Sequence, residues 1–191
     1  MFLREIGLYL SYLKYKWINR NRVVINGFAI LFHFPHSEIN FLYHPEIGKT
    51  TINSSFLSNL LGLYQRTIIV ARYGGNISIG SGCGISGSTI YAMERIEIGE
   101  RCLIGGNCKI IDNDFHPLHI EKRNPQKWED IKRKPIKIGD GCFIGANSII
   151  LKGTTLGKNC VVGAGSVVSG TFPDNVILAG NPAKIIKENR L

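Results

Sequence analysis

Several features of membrane, secreted and metal-binding proteins are missing from this sequence. No apolar run approaches the length of about 18 residues that indicates a membrane-spanning helix. The N-terminus has no charged-then-apolar leader with a small-residue cleavage site. There is no CxxC motif, and the number of cysteines, five, is odd, which disfavours a disulfide framework or a zinc site. We therefore expect a cytoplasmic protein in a reducing compartment.

Acidic residues are also scarce, with 14 Asp and Glu against 23 Lys and Arg and a formal net charge of +9. A nucleic-acid-binding function is not indicated, because no recognition helix or aromatic-basic motif accompanies the charge. A basic surface also suits a small molecule carrying phosphates or an acidic membrane face. The 191 residues are enough for one domain with an extended core.

The stretch from Ile138 to Phe172 repeats every six residues. A small Ser, Thr or Cys follows each aliphatic residue by four places, except in the last hexad. The aliphatic positions are Ile138, Ile144, Ile150, Leu156, Val162 and Val168. A fixed short period predicts a solenoid of strands, and six residues suit one short strand and one corner. Three hexads then form one coil of a three-sided prism, with coils stacked about 4.8 Å apart.

The same register continues upstream of the regular stretch, with two interruptions. Its aliphatic positions are Ile79, Ile85, Ile98, Ile104 and Ile110. All five cysteines occupy the small inward slot (Cys83, Cys102, Cys108, Cys142 and Cys160), which explains them as small buried hydrophobic residues. Asp114 takes the small slot in place of Ser, Thr or Cys, near the start of a polar insertion over residues 112–135. A long insertion in a regular fold is usually functional.

The sequence predicts that the chain divides into three parts. Residues 1–66 hold an N-terminal helix and irregular first coils that contribute acceptor or oligomer contacts. Residues 67–175 form the hexapeptide-repeat β-helix with its extruded loop. Residues 176–191 form a short strand, an Asn-Pro break and a short, basic C-terminal helix.

Apolar residues in the first 20 positions recur at helical spacing, namely Phe2, Ile6, Tyr9, Leu10, Leu13 and Trp17. One interpretation is a helix packed on the prism or on a neighbouring subunit. The other is an interfacial helix at the inner face of the membrane, with Lys14, Lys16 and Arg20 on anionic lipid.

The hexads, FHPLH in the loop, FIGANS, VVGAGSVV and AGNPAKIIK together resemble the left-handed β-helix hexapeptide-repeat acyltransferases. The similarity is to acetyl-CoA-dependent O-acetyltransferases of sugars and polysaccharides, including the galactoside, maltose and serine acetyltransferases. It covers residues 67–191 well and the first 66 poorly. The resemblance implies an all-β, left-handed parallel β-helix. It also implies a homotrimer with one active site between each pair of subunits.

The resemblance also implies roles for individual residues. His116 would be the general base. The cofactor acetyl-CoA would contact Phe143, the backbone of Ala146 and Ala164, and the residues Ser169, Lys184 and Lys187. Gly170 departs from the pattern, because relatives often carry lysine there, and Lys184 replaces an arginine found in some of them. The two lysines could instead be solvated surface charges.

The chemistry of acetyl transfer needs few groups. A thioester is an activated donor, so no metal is required; a base must take the proton of the acceptor hydroxyl, and histidine ionises in the right range. Asp112 or Asp114 could set the tautomer of His116, bond the acceptor sugar, or begin the loop with an Asx turn. His119 could contact substrate or lie on the surface, and Trp128 could stack on a sugar or anchor the loop.

Three alternatives to sugar O-acetylation remain. The first is N-acetylation of an aminosugar. The second is a γ-class carbonic anhydrase, which needs three histidine ligands, whereas only His116 and His119 lie near the regular coils. The third is a β-helix scaffold without catalytic activity.

Overall fold

A computed structural model describes residues 2–55, 57, 61–62, 65–124 and 127–190, with side chains from Tyr9 onward. Its strands form three sheets, A, B and C. In spatial order, sheet A contains β1 (Val23–Gly27), β4 (Thr50–Ser54), β7 (Gly84–Ser86), β10 (Leu103–Ile104), β13 (Phe143–Ile144), β16 (Val161–Val162), β19 (Val176–Gly180) and β20 (Ala183–Glu188). Sheet B contains β2 (Ile30–His33), β5 (Ile68–Ala71), β8 (Thr89–Ala92), β11 (Lys109–Ile111), β14 (Ile149–Leu151) and β17 (Val167–Val168). Sheet C contains β3 (Glu38–Phe41), β6 (Asn76–Ile79), β9 (Arg95–Ile98), β12 (Ile136–Ile138), β15 (Thr155–Leu156) and β18 (Thr171–Phe172).

Up to β19, successive strands visit sheets A, B and C in turn, and each pairs in parallel with the next strand of its own sheet. This is the three-sided prism predicted from the hexads. We name its edges by the sheets that the chain joins there in passing from strand to strand. The A–B edge includes residues 145–148, the B–C edge includes residues 152–154, and the C–A edge includes residues 139–142.

The core is a set of stacked columns. In sheet A, one inward column runs without a break through the pairs of aligned strands and consists of Ile52, Ile85, Ile104, Ile144, Val162 and Leu178. All of these side chains are buried. Burying one aliphatic side chain of this size stabilises the fold by about 1.5–3 kcal/mol, so the repeated residue is the main source of stability.

The small slot has a hydrogen-bonding function as well as a steric one. The thiol of Cys102 donates to the carbonyl of Gly139 one coil further on, and the thiol of Cys142 donates to that of Gly157, both at 3.1 Å. The glycine of the hexad is required because the coils approach so closely. A Cβ added to Gly145 would lie 2.6 Å from the nitrogen of Ala164.

The prism begins well before residue 67. Strands β1, β2 and β3 already form a complete coil, and β1 pairs with β4 over residues 23–27 and 50–54 in the parallel register of the later coils. The boundary predicted after residue 66 is therefore not a break in the core. Within residues 1–66, which were predicted to hold irregular first coils, residues 56, 58–60 and 63–64 lie outside the described residues.

Helix α1 (Phe2–Ile18) packs on the first coil of its own chain. Ser11 Oγ donates to the carbonyl of Leu31 at 2.7 Å, and the hydroxyl of Tyr12 donates to that of Gly27 at 3.1 Å. In the described part of the chain, no helix is long and apolar enough to cross a membrane.

The apolar stripe predicted for this helix is divided: Tyr9 stacks on Phe28 with ring centroids 5.8 Å apart, whereas other members of the stripe face away from the prism. Leu10, Leu13 and Trp17 are exposed, Trp17 at 69%, whereas Tyr12 and Asn19 are buried. The side chains of Phe2 and Ile6 lie outside the described ones. Leu10, Leu13 and Trp17 are therefore available to a partner outside this chain.

The prediction of a C-terminal helix is wrong. The segment forms β20, which pairs antiparallel with β19, and the predicted Asn-Pro break lies in the turn between these strands. The physical reason is that β19 has one edge paired with β16 and would leave its other N–H and C=O groups unpaired at the end of sheet A. Covering that edge outweighs the local helix propensity of the segment.

Candidate active site

The extruded loop leaves the prism between β11 and β12 and is closed at its base by a short antiparallel bridge. Asn113 lies opposite Arg133, Asp114 N donates to the carbonyl of Lys132 at 3.1 Å, and Lys134 N donates to that of Asp112 at 2.9 Å. The loop contains two helical turns, α2 (Ile120–Arg123) and a 3₁₀ turn (Trp128–Asp130). The bridge gives the loop a fixed starting geometry at the B–C edge.

Asp112 lies inside the prism. Its side chain is 0% exposed, and its two carboxylate oxygens accept from Met93 N and Glu94 N of the preceding coil, each at 2.8 Å. The amide of Asn113 also donates to it at 3.0 Å. The carboxylate is thus occupied by the backbone, which argues against the predicted contact between Asp112 and substrate.

His116 is exposed and follows a tight turn. Phe115 has a φ of 59°, and its N–H donates to Asn113 Oδ1 at 2.9 Å, so the Asx turn that begins the loop belongs to Asn113. The ring of Phe115 packs on Tyr91 of β8 with centroids 4.8 Å apart. His116 N donates to the carbonyl of Asp114 at 2.7 Å. The turn therefore presents the imidazole outward from a firmly packed base.

Asp114 pairs with a residue that the sequence interpretation missed. Its Oδ1 forms an ion pair with Lys152 Nζ, and its Oδ2 is buried and without a hydrogen-bond partner within the described residues. A sequence signal for Lys152 existed. In its hexad, Ile150 to Thr155, Leu151 takes the usual glycine position and the glycine is displaced to position 153, which indicates an altered corner one coil after the loop.

Trp128 and His119 occupy different environments in the loop. Trp128 stacks on Tyr73 of its own chain, with centroids 5.3 Å apart and planes 3° from parallel, and the guanidinium of Arg133 lies 5.1 Å from its ring centre. It remains 39% exposed. His119 is exposed at the start of α2. The stack on Tyr73 fits the anchoring interpretation of Trp128, while contact with a sugar remains a prediction.

The residues expected to hold the cofactor lie mainly along sheet A and the A–B edge. Phe143 is 46% exposed and lies in an outward row between Leu103 and Val161. The row continues through Ile177 and ends opposite Lys187. Lys184 lies opposite Ala179 on the same hairpin. Ser169 follows β17 and therefore lies at the B–C edge, away from the others in one chain.

Backbone N–H groups at the A–B edge are available to a ligand. The N–H groups of Ala146 and Ala164 donate no hydrogen bond within the described ranges. At the C–A edge, the equivalent N–H groups of Glu100 and Lys158 donate to an aspartate of the next coil at 3.0 and 2.7 Å. A ladder of free donors on one edge suits a ligand with amide carbonyls, as the pantetheine arm of coenzyme A has.

A cluster of polar side chains lies beside these N–H groups, mainly in the preceding coil of the prism. Lys109 Nζ donates to Gln65 Oε1 at 2.7 Å and to Asn107 Oδ1 at 2.8 Å, and Asn107 Nδ2 donates to Asn147 Oδ1 at 2.8 Å. Burial lowers the pKa of Lys109 below its usual value. These side chains were not identified from the sequence, because no motif marks them.

The residues predicted to bind the cofactor and the predicted general base, His116, are not brought together within one chain. Ala146 and Ala164 lie at the A–B edge, whereas His116 projects from the B–C edge, and sheet B separates the two edges. Among the residues that the structure describes, no three His, Cys, Asp or Glu side chains form a metal-binding group.

Comparisons with known proteins agree with this geometry. A family model described as "Hexapeptide repeat of succinyl-transferase" matches residues 95–111 and 135–169. The chain is 32% identical over 168 residues to the galactoside O-acetyltransferase of Escherichia coli (strain K12), an alignment that covers 86% of this chain and 78% of that protein.

Two solved structures are also similar. A galactoside acetyltransferase in complex with coenzyme A is 31% identical with a TM-score of 0.53, covering 64% of this chain and 60% of that chain. The polySia specific acetyltransferase NeuO is 27% identical with a TM-score of 0.59, covering 87% of this chain and 65% of that chain. The matched part thus spans less than two thirds of each solved chain.

The prism of hexads and the donor ladder at its A–B edge define a β-helical transferase that uses an acyl-CoA donor. The chain belongs to the hexapeptide-repeat acetyltransferases, whose fold is the left-handed parallel β-helix. The family and the fold class predicted from the sequence are both confirmed, apart from the C-terminal helix. The prediction of acetyl-CoA as co-substrate agrees with the coenzyme A held by the similar galactoside acetyltransferase.

Proposed function

We propose that this enzyme transfers an acetyl group from acetyl-CoA to a hydroxyl of a sugar in a surface polysaccharide, with His116 as general base. The observation that carries the proposal is that the same fold has free backbone donors at Ala146 and Ala164 and an exposed histidine on its extruded loop. The similarity to galactoside and polySia acetyltransferases supports a sugar acceptor. The reaction would take place in the cytoplasm, at the inner face of the membrane, on a precursor of the polysaccharide.

The reaction is a direct transfer. The imidazole of His116 removes the proton of the acceptor hydroxyl as its oxygen forms a bond to the thioester carbonyl carbon. A backbone N–H of the A–B edge stabilises the oxygen of the tetrahedral intermediate. The C–S bond then breaks, and His116 returns the proton to the thiolate of coenzyme A. Lys184 and Lys187, both exposed, bind phosphates at the nucleotide end of the cofactor.

The test is acetyl transfer from acetyl-CoA to a panel of sugars and oligosaccharides. His116→Ala should lower kcat by about 100- to 10,000-fold, the usual contribution of a general base, with the affinity for acetyl-CoA unchanged in calorimetry. His44→Ala, which removes an exposed histidine remote from the loop, is the matched control. Transfer only to amino groups would establish the N-acetyl alternative, and absence of acetyl-CoA binding to wild type would establish a scaffold.

A complete site on this proposal needs two chains, because the donor ladder and His116 lie on different edges of one prism. We propose a cyclic homotrimer in which the loop of one subunit reaches the A–B edge of its neighbour. The variants His116→Ala and Ala164→Pro should each be inactive, since proline has no N–H to donate. Subunits mixed after reversible dissociation should regain about a quarter of wild-type activity, from random pairing in a closed ring. A site within one chain would regain none.

The exposed stripe of α1 supports a contact with an anionic membrane surface. Trp17 and Leu13 are exposed, and Lys14, Lys16 and Arg20 are exposed beside them, which is the composition of an interfacial helix. Wild type should sediment with vesicles containing anionic phospholipid and not with neutral vesicles. Leu13→Glu should abolish sedimentation. If neither vesicle type retains the wild-type protein, the membrane contact is wrong.

A further inference from the structure

One ion pair joins the base of the loop to the coil that follows it. Lys152 lies directly after β14 at the B–C edge, and its Nζ pairs with Asp114 Oδ1 at the start of the loop. The two side chains are 31% and 17% exposed, so they are more shielded than the pair of Lys158 with Asp140, at 64% and 38%. Water and salt therefore weaken the first pair less than the second.

The paired carboxylate belongs to the residue that holds the backbone of His116. Asp114 N donates to the carbonyl of Lys132 across the loop base, and the carbonyl of Asp114 accepts from His116 N at 2.7 Å. The next residue of the same corner, Gly153, donates to the carbonyls of Lys134 and Pro135, each at 3.1 Å. Lys152 and its neighbour thus fasten both strands of the loop base to the prism.

The carboxylate of Asp114 is only half used by these contacts. Its Oδ2 is buried and has no hydrogen-bond partner among the described residues. Buried polar atoms are normally satisfied, and an unsatisfied one in a native fold calls for an explanation. Among the described residues, the ion pair with Lys152 is therefore the only polar contact that fixes this carboxylate.

We propose that Lys152 is a positioning residue for acetyl transfer, which fixes the Asp114 side chain so that the His116 turn is held in its reactive orientation. This inference rests on the proposed function of His116. Lys152 acts through Asp114, whose carbonyl accepts from His116 N and whose N–H donates to the carbonyl of Lys132. The residue type matters because Asp114 needs a cation at that point and a long side chain that reaches it across one coil.

The experiment compares Lys152→Met, Lys152→Arg and Lys158→Met. Methionine keeps most of the length of the lysine side chain and removes the charge. Lys158→Met breaks a comparable lysine–aspartate pair at the C–A edge (Lys158 Nζ to Asp140 Oδ2, 3.0 Å), away from the loop, and is the matched control. The measurements are kcat and KM for acetyl-CoA and for the best sugar of the panel, together with hydrogen exchange of the loop peptide.

Lys152→Met should lower kcat by about 10- to 100-fold, the range caused by a small misplacement of a catalytic group, while KM for acetyl-CoA stays within about twofold. The arginine variant should recover most of kcat, because it restores the cation, and Lys158→Met should resemble wild type. The exchange of Asp114 and His116 amides should be faster only in Lys152→Met. Equal kcat and equal loop exchange in the two methionine variants would overturn the proposal.

A failure of the proposed function of His116 would give a different result from a failure of the proposal for Lys152. If wild type acetylates no acceptor, the assignment of His116 falls, and hydrogen exchange still decides whether Lys152 positions the loop. If His116→Ala is inactive but Lys152→Met is fully active with wild-type exchange, only the present inference falls.

Discussion

The role of Asp112 gives the sharpest test of how this fold uses its acidic residues. Replacing Asp112 by alanine removes the acceptor of two backbone N–H groups, Met93 N and Glu94 N, at a site that is 0% exposed. A buried donor left without a partner costs about 1–3 kcal/mol. Water that enters the space left by the carboxylate can pair with part of these donors and reduce the cost. We therefore expect Asp112→Ala to lower the free energy of unfolding by about 3–4 kcal/mol.

The measurement is guanidinium unfolding followed by circular dichroism at a fixed protein concentration, since subunit association would shift the midpoint. Asp140→Ala is the matched control: its carboxylate accepts from one backbone donor, Glu100 N at 3.0 Å, and forms a solvent-exposed pair with Lys158. Its loss should cost only about 1 kcal/mol. If Asp112→Ala unfolds like wild type and instead raises KM for the sugar, the structural role is refuted and the sequence-based prediction of substrate contact is correct.

Three further predictions concern the prism. Ile144→Ala should lower the free energy of unfolding by about 2–5 kcal/mol because it opens a cavity, whereas the outward, half-buried Ile149→Ala should cost much less in the same denaturant titration. All five cysteines are buried, so a thiol reagent should react with none of them until the protein unfolds. The pKa of Asp140 is held below its ordinary value, chiefly by the Glu100 N–H and then by Lys158. Its stabilising contribution is therefore present above about pH 4 and lost as the pH falls through the folded-state pKa, so thermal midpoints of wild type and Asp140→Asn should converge in acid.

Hexad periodicity predicted the prism because each repeat position has one environment. Every aliphatic position from Ile138 to Val168 is buried, and all five small-slot cysteines are nearly or fully inaccessible. The first coil, predicted as irregular, lies outside the hexad register because β1, β2 and β3 are joined by connections of unequal length. Their side chains alternate in and out as later strands do, yet no fixed period links them.

The site was only partly predictable, because contacts between coils and the pairing of a free sheet edge are not visible in local sequence patterns. The FHPLH segment marked His116 and its loop, but nothing local shows that Asp112 turns inward while Asp114 pairs with Lys152 across one coil. Residues 183–188 form a strand because an unpaired sheet edge lies beside them, which a single-chain pattern does not reveal. Pairings between coils therefore decide the details that periodicity leaves open.

The two interpretations of Trp128 can be separated by its partner Tyr73. An aromatic pair of this kind contributes about 0.5–1.5 kcal/mol, so if Trp128 anchors the loop through the stack at 5.3 Å, Tyr73→Ala and Trp128→Ala should increase protease cleavage of the loop to a similar extent. The double variant should then be no worse than either single one, because the two changes remove one interaction. If Trp128 instead binds the sugar, only Trp128→Ala should raise KM for the acceptor, and Tyr73→Ala should leave it unchanged. The stack with Tyr73 and the guanidinium of Arg133 near the ring favour the first outcome, because much of the indole surface is already in contact with its own chain.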